Sequence, residues 1–304
     1  MKEENIIKNF FPEGQFPQDD CFFWKNQFLI TTDTMAEGTH FLHEWSSPEQ
    51  LAIKLIEVNI SDIAASGGSP ELAFLNLGLS KISARSNWIN AFSEVLKSEL
   101  NRYEIQLAGG DTFFSQKTCI GMTLIGKTEK PINRDGGKEG DFLYLSGKTG
   151  LSLLGYRILK GEIFPISSEL RKQAVERHLS PRSRLSLSKE LLREIPIHAM
   201  MDVTDGIIQD ASRLALASGL QIEIQIENLP FEQELQRVLT YDDLLSSGEE
   251  LELLFLSPAE ISKEEFPEIQ KIGYAKSGKI GLSFYLNEKE YRPKQHGFLH
   301  FSVE

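Results

Sequence analysis

The sequence predicts two domains of α/β or α+β character, joined near residues 146–150 and divided here as 1–146 and 147–304. Two observations carry this. Segments with strand and helix patterning alternate on both sides of that point. The 304 residues, 40% hydrophobic and 25% charged, suit one large or two medium globular domains.

The elements follow in order. Residues 27–34, QFLITTDT, read as a strand rich in β-branched residues. Residues 47–66 read as a helix: Ser47 is a good N-cap, Pro48 suits the first helical position and Gln50 completes a capping box. Gly67, Gly68 and Pro70 end it. Strands are expected over 72–79, 105–109 and 119–128, with a helix over 88–101. FLYLS at 142–146 is a short strand opening onto Gly147-Lys148-Thr149. Helical segments fill about 150–193, interrupted around Pro181. Residues 198–219 read as strand, tight turn and helix, stopped by Gly219. QIEIQIENL, ELELLFL (250–256) and IGLSFYL (280–286) read as strands.

Bulk properties narrow the function. A net charge of −12 without any basic run argues against nucleic acid as a partner. The acidic excess means solubility, or carboxylates gathered to hold cations. Cys21 and Cys119 are the only cysteines, and no zinc-type spacing occurs. There is no signal-like apolar stretch and no run near the roughly 20 apolar residues of a membrane helix. The expected location is the cytoplasm.

The aspartates carry the chemical signal. Asp19 and Asp20 precede an aromatic run, Asp33 ends the first strand, and Asp111 follows Gly109-Gly110 at the end of another. Asp202 and Asp205 bracket a strand-to-helix turn. Any one of these is equally an ordinary turn or cap residue. Asp62 differs. Leu51, Leu55, Val58 and Asp62 are spaced four, three and four, which puts the acid on an apolar, core-facing stripe with Asn59 nearby. A carboxylate there is costly unless it pairs with a base or binds a metal. Together the acids favour magnesium, which takes a few carboxylates and fills its remaining positions with water and substrate phosphate. Their number suggests several ions. Neighbouring glycines let phosphate approach the backbone.

Familiar local motifs are excluded. A Walker loop ending at Gly147-Lys148-Thr149 would need glycine at 142, which is Phe142. No GxGxxG, GxSxG or HExxH occurs.

Taken together, QDDC (18–21), TTDTMAEGTHF (31–41), KLIEVNISDIAASGGSP (54–70), LAGGDT (107–112), NRDGGKEGD (133–141), RHLSPRSR (177–184), MDVTDGIIQD (201–210), SGEELEL (247–253) and GFLHF (297–301) resemble the thiamine-monophosphate kinases. These belong to the PurM-like, or aminoimidazole ribonucleotide synthetase, superfamily. The segments occur in the family's order over nearly the whole chain. The resemblance implies an N-terminal sheet that forms a barrel across a homodimer, a C-terminal α/β domain, and a site in the cleft between domains. It implies that Asp20, Thr31, Thr32, Asp33, Asp62, Asp111, Asp202 and Asp205 hold several magnesium ions around the ATP phosphates. Gly110, Asp111, Arg134 and Thr204 would touch the nucleotide; His40, Glu249 and Phe298 would touch thiamine monophosphate. Gln18, Phe113-Phe114, Asp135, Thr204 and the Ser247–Leu251 segment depart from the family's usual residues.

The implied reaction is ATP plus thiamine monophosphate giving thiamine diphosphate and ADP. A phosphate monoester, with a second pKa of about 6, is mostly dianionic at pH 7. The substrate's own phosphate oxygen can therefore attack, and no residue need act as a catalytic base. The alternatives are another ATP-dependent relative of the aminoimidazole ribonucleotide synthetase type, or a non-catalytic nucleotide- or metal-binding one. A selenophosphate synthetase would need a differently placed reactive cysteine than Cys21, and a hydrogenase-maturation relative a cysteine-bearing tail.

Overall fold

The computed structural model describes residues 6–12 and 19–294. Compactness divides the chain into two units. The first comprises Asp20–Ile132 and Leu151–Ile195; the second comprises Met1–Asp19, Asn133–Gly150 and Pro196–Glu304.

In the first unit, β1 (Phe22–Trp24) and β2 (Phe28–Ala36) form a hairpin. Lys25 and Asn26 turn it with positive φ, and Gln27 N–H returns to Trp24 O at 3.3 Å, the primed geometry that matches strand twist. Helix α1 (Pro48–Ala65) has the capping box expected of Ser47 and Gln50. Then come β3 (Ser69–Leu79), α2 (Ser86–Arg102), β4 (Gln106–Phe114) and β5 (Cys119–Lys127). The five strands lie in the order β1-β2-β5-β3-β4, with β3 and β4 parallel and the other pairs antiparallel. Helix α1 packs on β2 and β5, and α2 packs on α1. Leu51, Leu55, Ile56, Ile60 and Ile63 of α1 are fully buried, as are Leu29, Met122 and Leu124 of the sheet. Helices α3 (Leu151–Leu159), α4 (Ser168–Leu179) and α5 (Leu185–Glu194) complete the unit, with α5 against α1.

The second unit is built on β6 (Phe142–Leu145), β7 (Ala199–Asp202), β8 (Gln221–Gln225), β9 (Leu253–Ser257), β10 (Gln270–Lys276), β11 (Gly281–Leu286) and β12 (Lys289–Tyr291). Their order is β12-β11-β8-β10-β6-β9-β7, with only β11 and β8 parallel among them. Helix α6 (Ile207–Ser218) packs against β7, β8 and β11 and ends at Gly219, whose φ of +67 makes the left-handed cap. A short α7 (Tyr241–Leu245) starts from a Thr240–Asp243 capping box.

Several sequence expectations are corrected. Asp33 and Asp111 sit within strands rather than at their ends, because pairing with β5 carries β2 on to Ala36 and pairing with β3 carries β4 on to Phe114. The 221–229 segment is a strand only to Gln225 and then turns into a 3-10 helix over Ile226–Asn228. Glu250–Glu252 precede β9, because Leu251 takes a positive φ of 51° that a strand does not accommodate. The rejected Walker segment serves the fold: Lys148 pairs with Glu232 at 2.8 Å, and the Thr149 hydroxyl donates to Leu244 O at 2.9 Å.

Candidate functional site

Side chains alternate along β2, so Thr31 and Asp33 share the face that meets α1. The Thr31 hydroxyl donates to Oδ2 of Asp62 on α1. Asp33 N–H donates to Asn59 Oδ1 at 3.2 Å, and the Asn59 amide donates to Leu55 O at 2.8 Å. Asp20, just before β1, places a carboxylate oxygen within 4.8 Å of one on Asp62. Two carboxylates at that separation repel unless a proton or cation lies between them. An all-oxygen donor set suits magnesium, calcium or manganese rather than zinc.

Asp62 itself is half-buried, not fully buried as the apolar stripe suggested. Helix α1 is covered on nearly every side, by the sheet and by three helices, so one stripe does not define its core face. The wholly buried acid of this helix is Glu57. Its Oε1 accepts from Tyr103 at 2.7 Å and from Arg182 at 2.8 Å, and its Oε2 accepts from Ser183 N–H at 2.8 Å. Arg182 also binds Glu99 at 2.7 Å. Burial and the adjoining Glu57 carboxylate push the Tyr103 hydroxyl up to about 12.

The other expected residues of this unit are placed differently. The Thr32 side chain lies on the opposite face, bonded to Met122 O at 3.2 Å. His40 follows β2; its Nδ1 accepts from Ala36 N–H at 3.1 Å, which leaves the ring proton on Nε2 in the neutral form. Asp111 is on β4, with β5 and β3 intervening before β2. At about 4.8 Å per strand it stands roughly 14 Å from Asp33. Its neighbour Gly110 has φ +151, and a Cβ there would lie 1.7 Å from Leu75 O. Close packing of β4 on β3 therefore requires the glycine.

In the second unit, Asp202 ends β7 at 1% exposure and the turn Val203–Gly206 leads into α6. Oδ2 of Asp210 accepts from the N–H groups of Thr204 and Asp205, at 3.0 and 3.1 Å. Arg213 binds Asp210 at 2.7 Å and Asp205 at 2.6 Å. Burial pushes the Asp210 carboxyl up to about 7, while the positive charges of Arg213 and then Arg134 pull it back. The charge of Arg134 therefore acts on this cluster; its backbone N–H donates to Asp19 Oδ1 at 2.8 Å. Glu249, at φ +55, donates its N–H to Thr204 O at 2.7 Å, so the chain brings Glu249 beside the Thr204–Asp205 turn. Gly248 permits this approach, since a Cβ would meet Thr204 O at 2.6 Å. The altered 247–251 segment has an internal logic: Ser247 donates to Glu250 at 2.6 Å, and Glu250 accepts from Gly150 N–H at 2.7 Å.

Phe298 and Gln18 lie outside the described residues. Sequence reasoning passed over Asp210 and Arg213. Their signal was an acid in the first turn of a helix that starts right after Asp205-Gly206, followed by a base three residues on.

Two family models match the chain: the N-terminal domain of AIR synthase related proteins over residues 18–128, and the C-terminal domain over residues 138–280. The thiamine-monophosphate kinase of Leptospira interrogans serogroup Icterohaemorrhagiae serovar Lai (strain 56601) is 47% identical over 302 residues, 99% of this chain and 98% of that protein. The thiamine-monophosphate kinase of Aquifex aeolicus (strain VF5) is 33% identical over 92% of this chain and 90% of its own. Among solved structures, AaThiL complexed with AMPPCP and TMP matches with a TM-score of 0.84 at 31% identity, covering 98% of this chain and 95% of that one.

Proposed function

Because the chain belongs to the thiamine-monophosphate kinase family of AIR synthase related proteins, we propose that it transfers the γ-phosphate of ATP to thiamine monophosphate, giving thiamine diphosphate and ADP. The structural observation that supports this most is the Asp20–Asp62 pair, with Thr31 holding Asp62 and Asp33 on the same strand face. The AMPPCP and TMP bound by AaThiL support ATP as donor and the monophosphate as acceptor.

Asp20, Thr31, Asp33 and Asp62 of the first unit and Asp202 and Asp205 of the second are the residues that would hold magnesium. The ions supply charge neutralisation, so that two anionic phosphates can approach. The protein's part is to position. Thr31 fixes the Asp62 carboxylate, and Asn59 fixes the backbone at Asp33. Gly110, Arg134 and Thr204 are assigned to the nucleotide. His40 is assigned to the substrate phosphate, and Glu249, a negative charge, to the cationic thiazolium. Thr32 and Phe298 enter on the resemblance alone.

The acceptor phosphate is mostly dianionic at pH 7. Its oxygen attacks the γ-phosphorus in line, a new P–O bond forms, and the bond to the β,γ-bridging oxygen breaks to release ADP. No residue need take a proton.

The chain acts as a homodimer in this proposal. On the sheet face opposite α1, Phe22, Phe74 and Phe113 are 58%, 36% and 52% exposed, and every residue of edge strand β4 is exposed. Such a face and edge call for a partner. A second copy covering them closes the barrel, and Asp111 then serves the acids of the partner chain. Phe113 and Phe114 fall on that edge, where apolar residues suit an interface. Among the described residues no helix is long and apolar enough to cross a membrane, and the two substrates fit a cytoplasmic enzyme.

The test is a coupled assay of ADP release with magnesium, ATP and either thiamine monophosphate or free thiamine. Release that depends on the monophosphate is expected. Equal rates with both acceptors would sink the proposal, because free thiamine lacks the attacking phosphate.

A further inference from the structure

The turn that carries Thr204 and Asp205 is held by two side chains that the reaction itself does not use. Asp210, with no exposure at all, accepts both turn N–H groups on one oxygen, at 3.0 and 3.1 Å. Its other oxygen takes Arg213 Nη1 at 2.7 Å. The second guanidinium nitrogen, Nη2, reaches Oδ2 of Asp205 at 2.6 Å. One planar fork therefore spans two carboxylates, and only arginine has that donor geometry. Gly206 closes the turn at φ +100, where a Cβ would come within 2.8 Å of the Ser246 backbone. The Thr204–Asp205 backbone is thereby fixed by Asp210, and the Asp205 carboxylate is fixed by Arg213.

We propose that Asp210 and Arg213 are positioning residues for the metal–nucleotide site, with Arg213 orienting the Asp205 carboxylate so that its Oδ1 is presented to the cation. This rests on the assignment of Asp205 as a metal ligand. Arg213 acts in two ways. It removes the rotational freedom of Asp205, which strengthens binding. It also offsets part of the carboxylate charge, which keeps Asp205 folded beside a buried acid before any cation arrives. Residues that orient metal ligands typically govern about 10–100-fold in metal affinity.

The experiment uses the whole protein and reads binding apart from turnover. Manganese binding in the presence of ADP is followed by electron paramagnetic resonance for the parent, Arg213→Lys, Arg213→Gln and Asp205→Asn, with a thermal melt of each. Arg213→Lys keeps the charge but cannot fork across both acids. We expect it to weaken manganese binding by about 10–100-fold, with turnover recovered to within a few-fold at high magnesium and the KM for thiamine monophosphate unchanged. Arg213→Gln, which keeps one donor, serves should the lysine variant fail to fold. Unaltered manganese affinity in folded Arg213 variants, alongside a weakened Asp205→Asn, overturns the positioning role while sparing the ligand assignment. Unaltered affinity in Asp205→Asn overturns the ligand assignment itself.

Discussion

The hydroxyl of Thr31 donates a hydrogen bond to Oδ2 of Asp62, tying the second strand of the N-terminal sheet to the helix that packs across it. The bond fixes the orientation of the Asp62 carboxylate. Replacing Asp62 by Asn keeps an acceptor for Thr31 but halves the charge shared with Asp20. Asp62→Asn is expected to lower kcat by at least about 100-fold, the upper end of what orienting residues around a metal cost. Its melting temperature should stay close to the parent's, since the residue is half-buried. A variant with normal turnover, or one that unfolds, would make Asp62 a structural acid.

The two glycines before Asp111 should respond in opposite ways. A Cβ at Gly109 would meet the Phe74 ring at 3.6 Å, an ordinary contact, whereas one at Gly110 would meet Leu75 O at 1.7 Å. Gly110→Ala should cost at or above the upper end of the usual range of about 0.5–3 kcal/mol for single substitutions. Gly109→Ala should stay within about 0.5 kcal/mol. Urea unfolding of both variants decides this; equal losses would mean that β4 is not packed on β3 as described.

Arg182 joins the wholly buried Glu57 to Glu99. Removing one member of a buried ion pair costs about 3–5 kcal/mol. Arg182 is itself 41% exposed, and Tyr103 and Ser183 still serve Glu57, so Arg182→Met should cost less than that. Chemical denaturation measures it, and the magnesium dependence of any remaining activity should not move.

Tyr103 sets an alkaline limit. Its pKa, pushed up to about 12 in the folded protein by burial and Glu57, stands above the ordinary value of 10.0 expected when unfolded. The unfolded chain releases this proton first, so the stability present below pH 10 is lost as pH rises from about 10 to 12. Tyr103→Phe should flatten the pH dependence of unfolding free energy in that window. An unchanged slope would contradict the Tyr103–Glu57 bond.

His40→Gln tests the absence of a catalytic base. It should raise the KM for thiamine monophosphate while leaving the acidic limb of kcat near pH 6, the rough second pKa of a phosphate monoester. Loss of that limb with a fall in kcat of about 10²–10⁴ would make His40 the base.

Much of this architecture was legible because its signals are local. The Ser47–Gln50 box and Gly219 are written within a few residues of the ends they mark. What was missed depends on distant partners or weak local signals. The β1–β2 turn uses Lys25 and Asn26 rather than an Asn-Gly pair, so the short strand β1 carried no turn signal. Strand β10 is defined by pairing with β6 and β8 rather than by its own alternation. Glu57 is buried at the cost of Arg182, 125 residues away, and no helical periodicity announces that partner. At the site, the acids Asp20 and Asp62 were readable as candidate ligands, and their proximity is a property of the fold. The Asp210–Arg213 support carried only a weak signal, because an acid and a base three apart on a helix look like an ordinary surface pair.

In the proposed reaction the phosphate of thiamine monophosphate itself attacks the γ-phosphorus. Phosphorus-31 NMR of a reaction containing protein, magnesium, ATP and thiamine monophosphate follows that transfer. The monoester resonance should give way to the paired resonances of thiamine diphosphate, in step with ADP and without matching inorganic phosphate. ADP accompanied by an equal amount of inorganic phosphate, with the monoester unchanged, would contradict it.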